Sequence, residues 1–457
     1  MLKRLLFLMR TATRCLLVML IFLSGSGAGT LYAAEYLLDQ TIAPESAQEV
    51  PLALDTIAED IESVPRRSVL NLDFSSAPSF WRDMESSLDF RVYDFDRDDG
   101  STDLSEAIAL GTNLTVTSGK WRDRFSVGAT WHTSNEIDVE HGPGDSGLLG
   151  PDQSDISVLS RAYVDVDIND EAKLRLYRQS FDLPYLNRQD IRMIPNTHEA
   201  YIIESAGERL QYVAGHANKM KQRTSERFVS MGEIAGVEGS NAGTSIAGAQ
   251  YKFLNDLTVG GIVLHTDDLF TTTYLETSYA RSLAEEWDLR LTAQHTDQRS
   301  TGSELLGRFQ TYSLGLRSQL SFRGAVLTAA YTEIDEDAAI RRPFGGTPGF
   351  TSSMIFDFDR AGEKAWRLGL SQNFASFGAP GISLVLNYTD GHDAIASDGS
   401  ALKNEDEFDV TLDFRPQRGL FEGLWLRLRW GEGDRGGDGN DKNDLRVIIK
   451  FNLDLLR

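Results

Sequence analysis

The stretch that decides the fold is the C-terminal run "NDLRVIIKFNLDLLR", residues 443–457. Every odd position from 445 to 455 is apolar, whereas the even positions are charged or amide residues apart from Ile448. Successive side chains of a β-strand point to opposite faces, so this segment forms a strand with one apolar face and one polar face. A strand of this kind has a different solvent on each side.

The same alternation recurs along the chain from about residue 86, for example in "SLDFRVY" (87–93), "WDLRLTAQ" (287–294) and "GLWLRLRW" (423–430). These segments reach about ten residues, the length of a tilted strand that crosses a membrane. Aromatic residues at the ends of the apolar faces suit the interfacial girdles of an outer-membrane barrel; they are Trp131, Tyr279, Tyr331, Tyr388 and Trp430. A large exported β-sandwich is the alternative, although its strands would be shorter.

Connection lengths favour the barrel. Short turns such as "FLND" (253–256) and "FGAPG" (377–381) alternate with long hydrophilic links, which span 132–158, 333–353, 390–404 and 431–443. Short turns at one rim and long loops at the other are typical of outer-membrane barrels. The sequence therefore predicts an all-β transmembrane antiparallel β-barrel of about 18 strands, with short periplasmic turns, long extracellular loops and an aqueous lumen.

The N-terminal region has the pattern of an export signal. Residues 1–34 carry basic residues, then an apolar run at 15–23 that is too short to cross a bilayer of about 30 Å, then small residues. We expect 1–34 to be a signal peptide, 35–80 to be a flexible acidic periplasmic extension and 81–457 to be the barrel. The one cysteine, Cys15, lies within the signal, so no disulfide is expected.

Composition and motifs exclude several function classes. The chain has 45 Lys and Arg against 68 Asp and Glu, a net charge of −23, which argues against a nucleic-acid partner. The seven histidines show no zinc-binding spacing, so we expect no metal and no cofactor. "GPGDSG" at 142–147 contains a serine but lacks the strand-to-helix elbow of a serine nucleophile, which predicts that the protein is not an enzyme.

Basic residues occupy the face that points away from lipid. In "LWLRLRW" (424–430) the leucines face lipid, so Arg427 and Arg429 point inward. The same parity places further basic residues on the inner face: Arg91, Lys173, Arg175, Arg290, Arg317, Arg367, Arg446 and Lys450. Arginines along a lumen attract anions, carboxylates above all, because the guanidinium binds a carboxylate with two hydrogen bonds. Alternatively, each base pairs with a lumenal Asp or Glu and only stabilises the interior.

Several segments resemble the OprD family of substrate-specific outer-membrane porins. They are "SLDFRVYDFDRD" at 87–98, "SRAYVDVDINDEAKLRLYRQSFDLP" at 160–184, "AGEKAWRLGLSQNFASFGAPGISLVLNYTDGHD" at 361–393, "LWLRLRW" at 424–430 and "NDLRVIIKFNLDLL" at 443–456. The resemblance implies an eighteen-stranded monomeric barrel, narrowed by inward loops, that admits small carboxylate-bearing nutrients along a ladder of basic residues. Arg91, Arg427 and Arg429 match ladder positions.

The resemblance also implies two constriction loops. One contains Tyr185, Arg188 and Arg192, and the second contains Arg341 and Arg342. Two departures concern the inner wall, since Gly369 and Asn387 stand where the family often has arginine. A cationic narrowing favours anionic or aromatic carboxylates as solutes, with amino acids left open.

The predicted function is passive, selective uptake through an outer-membrane channel. The expected partners are outer-membrane lipid and lipopolysaccharide, the barrel-assembly machinery and small carboxylate solutes, and the expected assembly is a monomer or loose trimer. Two alternatives remain. An outer-membrane lipase-like enzyme would need a Ser/His pair at the lipid face, for which His132, His216 and His265 are candidates. A structural or adhesive barrel would have a plugged lumen.

Overall fold

The computed structural model describes residues 67–68, 74, 76–98, 105–139, 146–416, 421–436 and 441–456. The predicted signal peptide and most of the predicted extension 35–80 lie outside these residues. Helix in the described part is limited to single turns, at Ser79–Arg82, Pro151–Gln153, Met231–Ile234 and Ala375–Phe377. No helix within these ranges is long and apolar enough to cross a membrane.

Eighteen strands form a closed antiparallel barrel, as the sequence predicts. They are β1 Glu85–Asp98, β2 Ser105–Thr117, β3 Phe125–Val139, β4 Ile156–Asp167, β5 Ala172–Gln179, β6 Thr197–Ala206, β7 Leu210–Lys221, β8 Thr244–Leu254, β9 Leu257–Thr266, β10 Phe270–Ala284, β11 Trp287–Ser300, β12 Gln310–Phe322, β13 Ala325–Ile334, β14 Lys364–Asn373, β15 Ile382–His392, β16 Glu405–Phe414, β17 Leu424–Asp434 and β18 Lys442–Leu456. Each strand pairs with the next, and β1 pairs with β18 to close the ring.

The two rims differ in the length of their connections. Two-residue turns at 255–256, 285–286 and 323–324 lie at the rim that also holds the start of β1 and the end of β18. The opposite rim carries long connections, including 180–196 and 335–363. We call these the turn rim and the loop rim. The predicted asymmetry of the barrel is therefore confirmed.

Several strands run further toward the loop rim than the sequence pattern suggests. The predicted link 132–158 is partly strand, because β3 continues to Val139 and β4 begins at Ile156. The stretch "HTSNEIDV" (132–139) lacks a continuous apolar face, since Ile137 and Val139 are its only large apolar residues. Strand ends that project beyond the hydrocarbon need none, since both of their faces meet polar surroundings.

The outer and inner faces of the barrel have opposite character. Leucines on the outer face are widely exposed, including Leu316 at 61% and Leu327 at 54%. Inner positions of neighbouring strands, such as Asn387, Thr389 and Asp409, are polar and buried. Exposed leucines along many adjacent strands are the lipid-facing belt of a membrane barrel, because a soluble protein would cover them.

Strands β6 to β8 show the weakest alternation, and packing in the lumen explains why. Ile202, Val213 and Ile246 lie on the inner face, yet they are buried apolar residues. They pack in one hydrophobic cluster with residues of the inward connections, among them Leu186 and Met231. Part of the loop-rim half of the lumen is therefore filled by a small core of folded loops.

We expect Leu316→Lys to lower the free energy of unfolding by about 2–4 kcal/mol, because it places a charge near the middle of a lipid-facing strand. The measurement is urea unfolding of the barrel in lipid vesicles. Ser321→Lys, on the inner face of the same strand, is the matched control and should change the free energy by less than about 1 kcal/mol. Equal losses in both variants would contradict the assignment of the two faces.

Candidate functional site

The first inward connection, residues 180–196, narrows the lumen. It contains a short hairpin in which Asp182–Leu183 pairs with Leu186–Asn187. Tyr185 lies at the hairpin turn, and its hydroxyl is 2.9 Å from the Thr296 hydroxyl on β11. The chain therefore crosses the lumen from β5 and is fixed to the wall formed by β11. Burial of the phenol raises the pKa of Tyr185 to about 12.

Asn187 joins this connection to the second one, 335–363. Its side-chain amide donates to the Gly346 carbonyl at 3.0 Å, and its side-chain oxygen accepts from the Gly346 amide at 2.9 Å. The adjacent Gly345 has to be glycine, because a Cβ there would lie 2.5 Å from the Asn187 side-chain oxygen. We call this contact the loop clamp.

Arg91, a predicted ladder residue on β1, also holds the first connection. Its guanidinium forms two hydrogen bonds with Asp190, at 2.7 and 3.0 Å, and bonds the carbonyl of Arg192. Burial alone would raise the pKa of Asp190, but the charge and hydrogen bonds of Arg91 outweigh it and hold that pKa below its usual range. The carboxylate stays charged and keeps the loop attached to β1.

The other two basic residues of the first connection, Arg188 and Arg192, also make contacts that hold its shape. The guanidinium of Arg188 is 2.8 Å from the Asp182 carboxylate within the same loop. Arg192 stacks over the Phe95 ring of β1, with its guanidinium carbon 4.5 Å from the ring centre. Both predicted residues therefore contribute contacts that shape the loop.

The two predicted arginines of the second connection are engaged by other loop residues. Arg341 stacks on Phe309 at 3.7 Å and donates to the Leu306 carbonyl at 3.2 Å. Arg342 lies 2.5 Å from Asp357 and 2.6 Å from Asp359. The second connection thus supplies its own acids beside Arg342.

A small cavity, which we call the narrow passage, lies between the wall and the second connection. Its volume is about 70 Å³. Its lining includes four arginines from the wall, one acid and an apolar side of the loop, namely Arg317, Arg367, Arg429, Arg446, Glu276, Phe350 and Met354. Four guanidinium groups and the Glu276 carboxylate line this cavity, and the guanidinium of Arg446 also binds the Asp444 carboxylate of the wall.

Three of these four arginines hold the loop segment that forms the passage. Arg446 donates to the Met354 carbonyl at 2.9 Å and also bonds Asp444. Arg367 donates to the Ser352 carbonyl at 3.0 Å. The guanidinium of Arg317 lies 4.4 Å from the centre of the Phe350 ring.

Arg429 differs from the other three. It donates to the Thr411 hydroxyl at 3.1 Å, and no carboxylate of the described residues is within hydrogen-bond distance of it. Its guanidinium therefore has donors left for a solute that enters the passage.

The remaining predicted bases lie along the inner wall, and several are paired. Arg175 forms two bonds of 2.6 Å with Asp165, and Arg427 bonds Asp413 at 2.8 and 3.0 Å. Lys173 is 3.2 Å from Glu204, Lys450 is 4.3 Å from the Trp425 ring centre, and Arg290 is exposed to the lumen. Lys173, Arg175 and Arg427 thus each contact an acid, as Arg91 and Arg446 do.

Sequence reasoning missed other residues of the site. The alternation of inward and outward side chains would have identified Glu276 and Trp425 as inner-wall residues, because both alternate with outward residues on their strands. No such signal exists for Asn187, Phe350 or Met354, which belong to irregular loops.

The enzyme alternative needs a serine and histidine at the outer face. His216 and Ser245 do lie there, with 3.2 Å between the ring nitrogen and the hydroxyl. Among the described residues, however, no carboxylate bonds the other nitrogen of His216, and His132 is buried against Ser160. A histidine without an orienting carboxylate lacks the third member of a hydrolase triad. His265 does contact a carboxylate, that of Asp267 at 3.2 Å, but the hydroxyl on its other nitrogen belongs to Thr271 and not to a serine. In the described ranges no group of acids, histidines and cysteines could hold a metal ion.

We expect Asn187→Ala to loosen the narrowing, because it removes both bonds to the Gly346 peptide. The current through single channels should fluctuate more between sub-levels, and a loop stability loss of roughly 1–3 kcal/mol should raise amide exchange in 335–363. The control is Asn135→Ala, whose side chain bonds Asp155 near the loop rim. Unchanged current noise and exchange would show that the loop clamp does not hold the loops.

Comparisons with known proteins agree with this architecture. A family model described as outer membrane porin, OprD family, matches residues 78–455. Porin D of Pseudomonas aeruginosa is 24% identical over 296 residues, which cover 58% of this chain and 66% of Porin D, slightly under two thirds of that relative.

Solved structures share the fold. The crystal structure of P. aeruginosa OccK9 (OpdG) aligns with a TM-score of 0.76 and 24% identity, covering 83% of this chain and 100% of that one. P. aeruginosa OpdK, solved with vanillate, aligns with a TM-score of 0.74 and 20% identity over 82% and 100% of the two chains. The match of the family model over residues 78–455, together with the closed barrel, shows that this chain belongs to the OprD family of outer membrane porins.

Proposed function

We propose that the chain is a passive outer-membrane channel for selective uptake of small carboxylate-bearing solutes. The observation that carries the proposal is the narrow passage of about 70 Å³, which is lined by four arginines and one glutamate, with Arg446 also bound to Asp444. A solute that crosses so small a space has to shed water and contact the wall. Anions then gain from the guanidinium groups, whereas cations are repelled.

Carboxylates fit this passage better than other anions of similar size. A planar carboxylate accepts two parallel hydrogen bonds from one guanidinium, which adds geometric selection to charge. Arg429 has donors left for this contact, and Phe350 and Met354 supply an apolar surface for the rest of the solute. Anionic and aromatic carboxylates are therefore the favoured class, and the vanillate in the OpdK structure belongs to it.

Only some of the basic residues on the inner wall would contact a passing carboxylate. Arg446 and Arg429 lie opposite each other on β18 and β17, and Lys450 and Arg91 lie opposite each other on β18 and β1. Arg427 stands on β17 between the two levels. Because Arg91 and Arg427 already bind Asp190 and Asp413, we propose that they shape the wall and that Arg429 makes the main contact with the solute.

Membrane partners follow from the same proposal. The outer leucine belt suits lipid, and acids of the loop rim would meet lipopolysaccharide and its bridging cations. The barrel-assembly machinery and a monomeric or loosely trimeric state remain predictions. The lipase-like and plugged-barrel alternatives predict no stepwise current, so a single recording distinguishes them from a channel.

We expect Arg429→Gln to weaken block of the single-channel current by benzoate roughly tenfold, because a charge-assisted hydrogen bond is worth roughly 1.5 kcal/mol or more. The barrel should still insert and give stepwise current, since the Thr411 hydroxyl is the only partner that the substitution disturbs in the described residues. The measurement is benzoate titration in planar lipid bilayers.

The matched control is Arg323→Gln, which removes the same charge from the exposed turn between β12 and β13, where Arg323 binds Glu286 at 2.6 Å. This variant should be blocked like the unmodified protein. Equal block of Arg429→Gln and the unmodified protein would contradict the role of Arg429. Absence of any current would contradict the channel.

A further inference from the structure

A second, larger cavity follows the narrow passage toward the turn rim. Its volume is about 660 Å³, within the range of small-molecule sites. It shares Arg317, Arg367 and Phe350 with the narrow passage and extends to Asp256 and Arg281 near the turn rim. A solute that clears the narrow passage therefore enters this space, which we call the lower cavity.

Small side chains on β14 and β15 leave room for the lower cavity. Gly369 contributes no side chain, and a Cβ there would lie 2.6 Å from the Asn387 side-chain oxygen. Asn387 itself is turned toward β16, where its amide donates to Asp409 at 3.1 Å. The inner wall therefore carries little side-chain volume at Gly369 and Asn387, which widens the lumen there.

On the opposite wall, formed by β17, β18 and β1, side chains pack against one another. Arg427 is held by Asp413, and Arg91 is held by Asp190 in the first inward connection. Trp425 is only 5% exposed and has the guanidinium of Arg415 3.9 Å from its ring centre. Arg427 on β17 and Arg91 on β1 thus stand in a packed layer.

Three arginines follow one another along the lower cavity. Arg367 and Arg317 flank Ala330 from its two neighbouring strands. Arg290 lies on β11, opposite Gln319, one inner position closer to the turn rim than Arg317. Diagonal neighbours of this kind are about 7–8 Å apart, a step that a carboxylate can make from one guanidinium to the next.

The lower cavity also offers an apolar surface. Phe350 lies at its upper end, and Val326 stands half-buried on the inner face of β13 between Ser321 and Ser371. An aromatic ring held there would keep its carboxylate within reach of the arginines. A site with an apolar wall and a few convergent charged groups is typical of sites for small organic ligands.

We propose that the lower cavity is a second binding site for aromatic carboxylates, and that solutes leave along the wall of β10 to β15. This inference rests on the proposed function. The carboxylate passes from Arg367 and Arg317 to Arg290, while the ring rests against Phe350 and then Val326. Uptake then has two sites in series: the narrow passage selects solutes by charge, and the lower cavity selects them by their apolar part.

The test is the residence time of single blocking events in planar bilayers, with benzoate or acetate added at the turn-rim side. In the unmodified protein, benzoate should stay longer than acetate. Arg290→Gln should shorten the benzoate residence about threefold, as expected for loss of one partly solvated charge contact. Val326→Thr, nearly equal in shape, should shorten benzoate residence and leave acetate unchanged.

Two reference variants separate the outcomes. Arg323→Gln, outside the cavity, should leave both residence times unchanged, and Arg427→Gln on the opposite wall should shorten benzoate residence less than Arg290→Gln. The inference is wrong if Arg427→Gln has the larger effect, or if Val326→Thr leaves benzoate unchanged. If benzoate never blocks the unmodified protein, the proposed function fails as well.

Discussion

The constraint on which the rest of the structure depends is that no backbone hydrogen bond may stay unmade in hydrocarbon. The chain satisfies it by pairing β1 with β18, from Ser86 opposite Leu456 to Asp98 opposite Asn443. Once the sheet is closed, every second side chain has to face lipid and its neighbours have to face the lumen. The exposed leucines and the polar interior are two consequences of the same pairing.

A polar interior then raises a second requirement, because charges packed inside a barrel need partners. The structure meets it locally: Arg175 binds Asp165, Arg427 binds Asp413 and Arg446 binds Asp444. These pairs stabilise the wall without adding net charge. The narrow passage is lined by four arginines, one of which is Arg446 in its pair with Asp444, and by a single glutamate, although the chain as a whole is acidic.

The sequence was sufficient for the barrel, because polar and apolar residues that alternate over about ten positions in many segments require strands with two different solvents. It also indicated which bases face inward, since parity carries that information along each strand. It was weakest at β6 to β8, where Ile202 and Val213 face inward against folded loops and hide the alternation. It gave no hint of the loop clamp at Asn187 or of the stacking of Arg341 on Phe309, because irregular loops have no period.

The central claim is that the arginines at the passage, and not the net charge of −23, decide which ions cross. The most direct test is the reversal potential of the purified chain in a planar bilayer under a KCl gradient. We expect a potential of the sign given by chloride, hence an anion-selective pore. A potential of the sign given by potassium would show that the acidic surface controls permeation, and would contradict the claim.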